Sequence, residues 1–74
     1  MNLADPREQI TTVEGETTLG ALCISILNIG DEDATVNGVP LPPGKVVNYE
    51  FVGKPYRAIT YNPNNSTLQI LTTL

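Results

Sequence analysis

The chain has 74 residues, a formal net charge of −4, four Lys or Arg residues and no histidine. Scattered at Arg7, Lys45, Lys54 and Arg57, the basic residues form no stripe that would hold nucleic acid, and the acidic balance argues against an anionic membrane surface. Cys23 is the single cysteine, so no disulfide can close within the chain, and one thiol without histidine does not complete a tetrahedral zinc shell.

This length fits one domain. A domain of this size buries only about 60–65% of the surface its unfolded chain exposes, and its core supplies on the order of 3–5 kcal/mol. With disulfides and zinc set aside, self-association or docking into a larger assembly is the expected source of further stability. The first residues, "MNLADPREQ", have neither a basic n-region nor an apolar h-region, so no secretory signal is expected. No stretch approaches the roughly 18–20 apolar residues that a bilayer-spanning helix needs. The glycosylation patterns at Asn64 and Asn65 carry no weight without secretion, and one unpaired cysteine fits a reducing cytoplasm as the site of synthesis.

Residues 1–9 are polar and carry Pro6, which reads as an N-terminal arm; residues 10–74 read as a single β domain. From Ile10 onward Thr, Val, Ile, Leu and Tyr dominate, and turn residues recur every 8 to 12 positions. "QITTV" is a first strand and Glu14-Gly15-Glu16 a turn. The longest apolar run, residues 18 to 29, reads as one strand. Gly20 and the β-branched residues oppose a helix there. Leu22, Ile24 and Ile26 take one face of that strand, and Ala21, Cys23, Leu27 and Ile29 the other. A strand apolar on both faces lies between two layers or under another subunit.

Asn37-Gly38 between two apolar runs is the strongest hairpin signal in the chain, because a type I′ turn needs positive φ at both central positions. A two-residue loop sets Val36 opposite Val39, Thr35 opposite Pro40 and Ala34 opposite Leu41. Position 40 then points its main-chain nitrogen away from the partner strand. A proline fits there only on an edge, and such an edge resists unwanted pairing. Pro43-Gly44 suits a type II turn. "KVVNYEF" alternates, with Val47, Tyr49 and Phe51 on one face. "YRAITY" places Ile59 and Tyr61 together, "NPNNS" is a loop, and "TLQILTTL" closes the chain with Leu68 and Ile70 inward. Leu71 faces the opposite way and should be covered. The expected fold is all-β: a single small antiparallel β-sandwich or barrel of six to seven short strands.

No catalytic, cofactor-binding or metal-binding residue stands out, and an enzyme is not expected. The triplet Asp31-Glu32-Asp33 lacks the alternating Asp/Asn spacing of a calcium loop and reads as solvated. Cys23 has no histidine to activate it and sits in the most apolar segment. The stretch from Gly15 to Gly20 lacks the Gly-Lys-Ser/Thr ending of a phosphate loop. Tyr49, Phe51, Tyr56 and Tyr61 are of the kind that stacks on bases or sugars, but Arg57 is the one basic residue directly next to any of them in sequence, so a core or interface role is expected. A shell this small leaves little volume for a ligand pocket.

The stretches "NIGDEDATVNGVPLPPGKVVNYEF" and "AITYNPNNSTLQILTTL" resemble small all-β structural proteins of tailed bacteriophages, such as capsid decoration, head auxiliary, head-tail or tail accessory components. The likeness lies in an Asn-x-Gly start, a "TVNG" hairpin, a Leu-x-Pro-Gly turn, an aromatic-ended strand and an "ITY" strand before a final strand. It covers about residues 26 to 74, and the first 25 residues carry no family signal. The resemblance implies a non-enzymatic virion protein without cofactors, made in the host cytoplasm, that forms a homo-oligomer (a trimer is the guess) and contacts other virion proteins. No site residues carry over. The alternative is a free-standing binding module, for carbohydrate or protein or as an inhibitor, using Tyr49, Tyr56, Tyr61 and the loop Asn62 to Asn65.

Overall fold

The structure is a computed structural model in which residues 3–74 are described. Tight turns set its course. Asn37 and Gly38 take φ of 53° and 79°, and the strands they join pair in the register their spacing dictates: Val36 with Val39, Thr35 with Pro40, Ala34 with Leu41. Gly44 has φ of 77°, and the Lys45 amide donates to the Pro42 carbonyl at 3.1 Å, which closes the type II turn that Pro43-Gly44 encodes.

The chain is all-β, with no helix among the described residues. Its strands are β1 (Pro6–Thr11), β2 (Gly15–Glu16), β3 (Cys23–Asn28), β4 (Ala34–Val36), β5 (Val39–Leu41), β6 (Val46–Tyr49), β7 (Thr60–Asn62) and β8 (Leu68–Thr73). They form two four-stranded sheets. The first has the order β1-β8-β3-β6 and the second β2-β7-β4-β5, every pairing antiparallel. Ile24, Ile26, Leu68 and Ile70 of the first sheet share one core with Ala34, Val36, Leu41 and Tyr61 of the second, joined by Ala21 and Ile59. The alternation of period two in β3 and β8 turns these residues inward.

Four sequence expectations are corrected. Residues 6–9 are not part of a loose arm: β1 begins at Pro6 and pairs along its whole length with β8. The pairing reaches one residue further, since Asp5 and Leu74 exchange main-chain hydrogen bonds at 3.0 and 3.1 Å. Residues 1–2 of the expected arm lie outside the described residues. Glu14-Gly15-Glu16 is not a turn but holds β2, an added strand that makes eight rather than six to seven. Gly15 faces Tyr61, and a Cβ there would lie 3.0 Å from the tyrosine hydroxyl oxygen, so a side chain at this position would push the phenol aside by a few tenths of an ångström.

The apolar run from 18 to 29 is strand only from Cys23. Leu22 and Cys23 both face Thr73. That one-residue offset, like a bulge, turns Ala21 to the core, where it is fully buried, instead of placing it beside Cys23. Before it Gly20 takes φ of 91°. Finally β6 ends at Tyr49, so Phe51 leaves the sheet and is exposed rather than lying beside Val47 and Tyr49.

Asn28, at the end of β3, is wholly buried. Its amide nitrogen donates to the Glu32 carbonyl at 2.7 Å and to the Leu41 carbonyl at 2.8 Å. Its oxygen accepts from the Gly30 amide at 3.0 Å and the Ser66 hydroxyl at 2.7 Å. All four hydrogen-bonding capacities of the amide are used. One side chain thereby ties the acidic loop, the β4–β5 hairpin and the loop before β8 together.

Candidate interaction surfaces

The hydrogen-bond alternation of antiparallel ladders shows which main-chain groups are free at each edge. Asp5 and Leu74 form a hydrogen-bonded pair. Arg7, Gln9 and Thr11 therefore direct their main-chain groups to β8, and Pro6, Glu8 and Ile10 direct theirs outward. At the other edge of the first sheet, the Asn28 amide donates to the Lys45 carbonyl at 3.0 Å. Val47 and Tyr49 thus bond to β3, and Val46 and Asn48 point outward.

In the second sheet β5 is terminal, as Pro40 implies, and Pro40 is exposed there. Pro6 obeys the same rule on β1. The remaining edge of the second sheet, β2, spans two residues. Among the described edges, β6 alone has neither a proline nor a trivial length to blunt it. Pro40→Val restores an outward N–H on β5. The expected result is faster concentration-dependent aggregation, read as turbidity at matched protein concentration. Unchanged turbidity would mean that the β5 edge is blocked by something other than its proline.

The face of the first sheet turned away from the core carries rows set by register. One row runs Ile10, Gln69, Leu27, Val46, and the next runs Glu8, Leu71, Ser25, Asn48. Ile10 is 66% exposed, Val46 50% and Leu71 37%. Among the described residues nothing covers Leu71, which the sequence leads one to expect to be covered by something. The Ser25 hydroxyl donates to the Asn48 side-chain oxygen at 2.7 Å. Between the two sheets, beside β5 and β6, an apolar cleft of about 140 Å³ is lined by Val36, Val39, Pro40, Leu41, Val47 and Tyr49. The outward face of the second sheet is polar, with Glu14, Glu16, Thr35, Thr60 and Asn62 around a shallow hollow. There the Asn62 amide donates to Glu14 at 3.3 Å.

The residues weighed in sequence are dispersed by the fold. Cys23 is half-buried on the outward face of β3. Asp31, Glu32 and Asp33 are exposed. Tyr49 and Tyr56 meet edge to face, with centroids 5.7 Å apart, and the Tyr56 hydroxyl donates to the Glu50 carbonyl at 2.6 Å. Tyr61 instead points into the core, while its neighbour Asn62 lies on the opposite face of β7. The three tyrosines and the Asn62–Asn65 loop therefore do not form one platform. Among the described residues no group of three or more His, Cys, Asp and Glu side chains is placed to hold a metal ion. No helix among the described residues is long and apolar enough to cross a membrane.

Sequence reasoning missed the β1 edge, although Pro6 was the available signal: it marks an outward-facing nitrogen on β1 just as Pro40 does on β5. No family model, curated protein or solved structure matches the chain.

Proposed function

We propose that this chain is a non-enzymatic structural protein of a tailed-phage virion, a small β-sandwich that works by contacts with its own copies and with other virion proteins. The observation that carries this reading is the first sheet's unfinished state. Its β6 edge is open, and the apolar residues Ile10, Val46 and Leu71 on its outward face stay in water. Surface of that kind is characteristic of a protein–protein contact, which in a stable complex buries about 1,200–2,000 Å² in total. The resemblance of residues 26 to 74 to virion proteins points the same way. The alternative of a free-standing binding module gains nothing from a fold that sends Tyr61 to the core.

The test is the protein content of purified particles from the phage that encodes the chain. Quantitative mass spectrometry should find it in many copies per particle, at a fixed ratio to the major capsid or tail protein. Absence from washed particles, with the protein abundant in the lysate, would retire the reading.

A further inference from the structure

Building on the reading of the chain as an assembling structural protein, we propose that its partner is a second copy joined head to tail. The β1 edge of one copy pairs antiparallel with the β6 edge of the next. Three features of the fold carry this.

The first is direction. β1 runs antiparallel to β8, β8 to β3 and β3 to β6, so β1 and β6 run in opposite senses at the two ends of one sheet. A second copy in the same orientation therefore brings its β1 alongside β6 as an antiparallel neighbour, and the sheet continues across the joint.

The second is register. The groups free to bond are those of Pro6, Glu8 and Ile10 on one edge, and those of Val46 and Asn48 on the other. Both sets lie on the outward face. Setting Ile10 against Val46 and Glu8 against Asn48 continues the apolar row Ile10, Gln69, Leu27, Val46 from copy to copy. It leaves Pro6 against Glu50, beyond the last residue of β6, where its missing N–H interrupts nothing central. On the inner face Gln9 falls opposite Val47 and Arg7 opposite Tyr49, a guanidinium beside a phenol ring. Sliding by two residues one way sets Glu8 against Glu50, two like charges directly opposed. Sliding the other way sets Pro6 against Asn48 in mid-ladder and loses the apolar pair. One register satisfies charge, packing and hydrogen bonding together.

The third is shape. Arg7 and Gln9 belong to the inner face of β1, yet both are exposed, so the second sheet does not reach beneath this strand. At the opposite side Val39 shares the inner face with the buried Val36, yet is 63% exposed, so β5 projects beyond the cover of the first sheet. Each layer overhangs where the other stops short. The overhanging β1 of one copy fits above the overhanging β5 of the next, against the apolar cleft formed by Val39, Val47 and Tyr49. A joint between unlike surfaces is heterologous, and it closes into a ring or runs on as a filament according to its rotation.

Glu8→Pro removes an N–H that the single copy does not use, and Val46→Pro does the same at the opposite edge. The measurement is solution mass by light scattering across a dilution series, with circular dichroism to establish that each variant is folded. The wild type should form an oligomer, each variant should fall to the mass of one copy, and an equimolar mixture should give a dimer of one of each. The variant blocked at β1 keeps its β6 edge and the other keeps its β1 edge, so one joint remains. Ile10→Lys and Val46→Lys, both at exposed positions, repeat the test without altering the main chain. A variant that keeps the wild-type mass overturns this joint but leaves self-assembly standing through another surface. A mixture that stays monomeric overturns the head-to-tail arrangement. A wild type that is monomeric throughout overturns the joint outright, and the copy number in particles then decides separately whether the virion reading survives.

Discussion

Asn28→Ala should destabilise the fold by about 3 kcal/mol, because a lost buried partner leaves each polar group to bear a desolvation cost of roughly 1–3 kcal/mol. The alanine would abandon the Leu41 and Glu32 carbonyls, the Gly30 amide and the Ser66 hydroxyl at once. Against a total stability of about 4–11 kcal/mol for a chain of this length, that is about a quarter to three quarters of the whole. Asn28→Asp should be as harmful at neutral pH. A carboxylate only accepts, and it would face two carbonyl oxygens. Its deficit should shrink as the pH falls, since a protonated carboxyl can donate one bond. Urea unfolding followed by circular dichroism gives the numbers. A shift of under half a kcal/mol for Asn28→Ala would show that water replaces the lost amide without cost.

The second large effect is expected from Gly30→Ala, at about 2–3 kcal/mol, in the range for overpacking a filled site. A Cβ at Gly30 would lie 2.6 Å from the Thr67 amide nitrogen and 3.1 Å from the Ser66 Cα, with the Ser66 hydroxyl in collision as well. Backbone atoms line most of this contact and cannot rotate away. The added methyl should therefore push the loop before β8 off Asn28 and weaken the same junction from the other side. Combining Gly30→Ala with Ser66→Ala should not restore stability, because the Thr67 amide remains in place. Full recovery in the double variant would mean that the hydroxyl alone sets the clash.

The parts of this fold that could be read in advance are those with a local cause. Asn37-Gly38 dictates its own turn and so fixes the register of β4 and β5. Pro40 declares an edge through its missing N–H. The inward set of β3 and β8 follows from alternation. Other parts have causes that are remote in sequence. β1 is exposed along all but its last residue, so no apolar pattern announces it; it exists because β8 offers a ladder some sixty residues away. In the 18–29 run, apolar residues on both faces blur the phase, and the offset at Leu22 that turns Ala21 inward leaves no mark on composition. Asn28 looks like an ordinary strand ending before Gly30, since its partners come from the acidic loop, the end of β5 and the loop before β8. The surface proposed for self-association was legible only in outline. The need for cover was visible in the composition, but the mutual overhang of the two layers depends on how the sheets sit on each other.

The order of strands in the first sheet also bears on how the molecule is made. β8, the last strand in the chain, lies between β1 and β3. Until Thr73 has left the ribosome, β1 has no neighbour to bond and the core lacks Leu68 and Ile70. A chain emerging at about 5–20 residues per second can form the β4–β5 hairpin early, because its contacts are local. The first sheet must wait for its final strand, and its loop-closure cost is then met in one late step. A chain cut before Leu68 would carry two separated strands and an uncovered apolar face, the form most prone to capture by chaperones or to clumping.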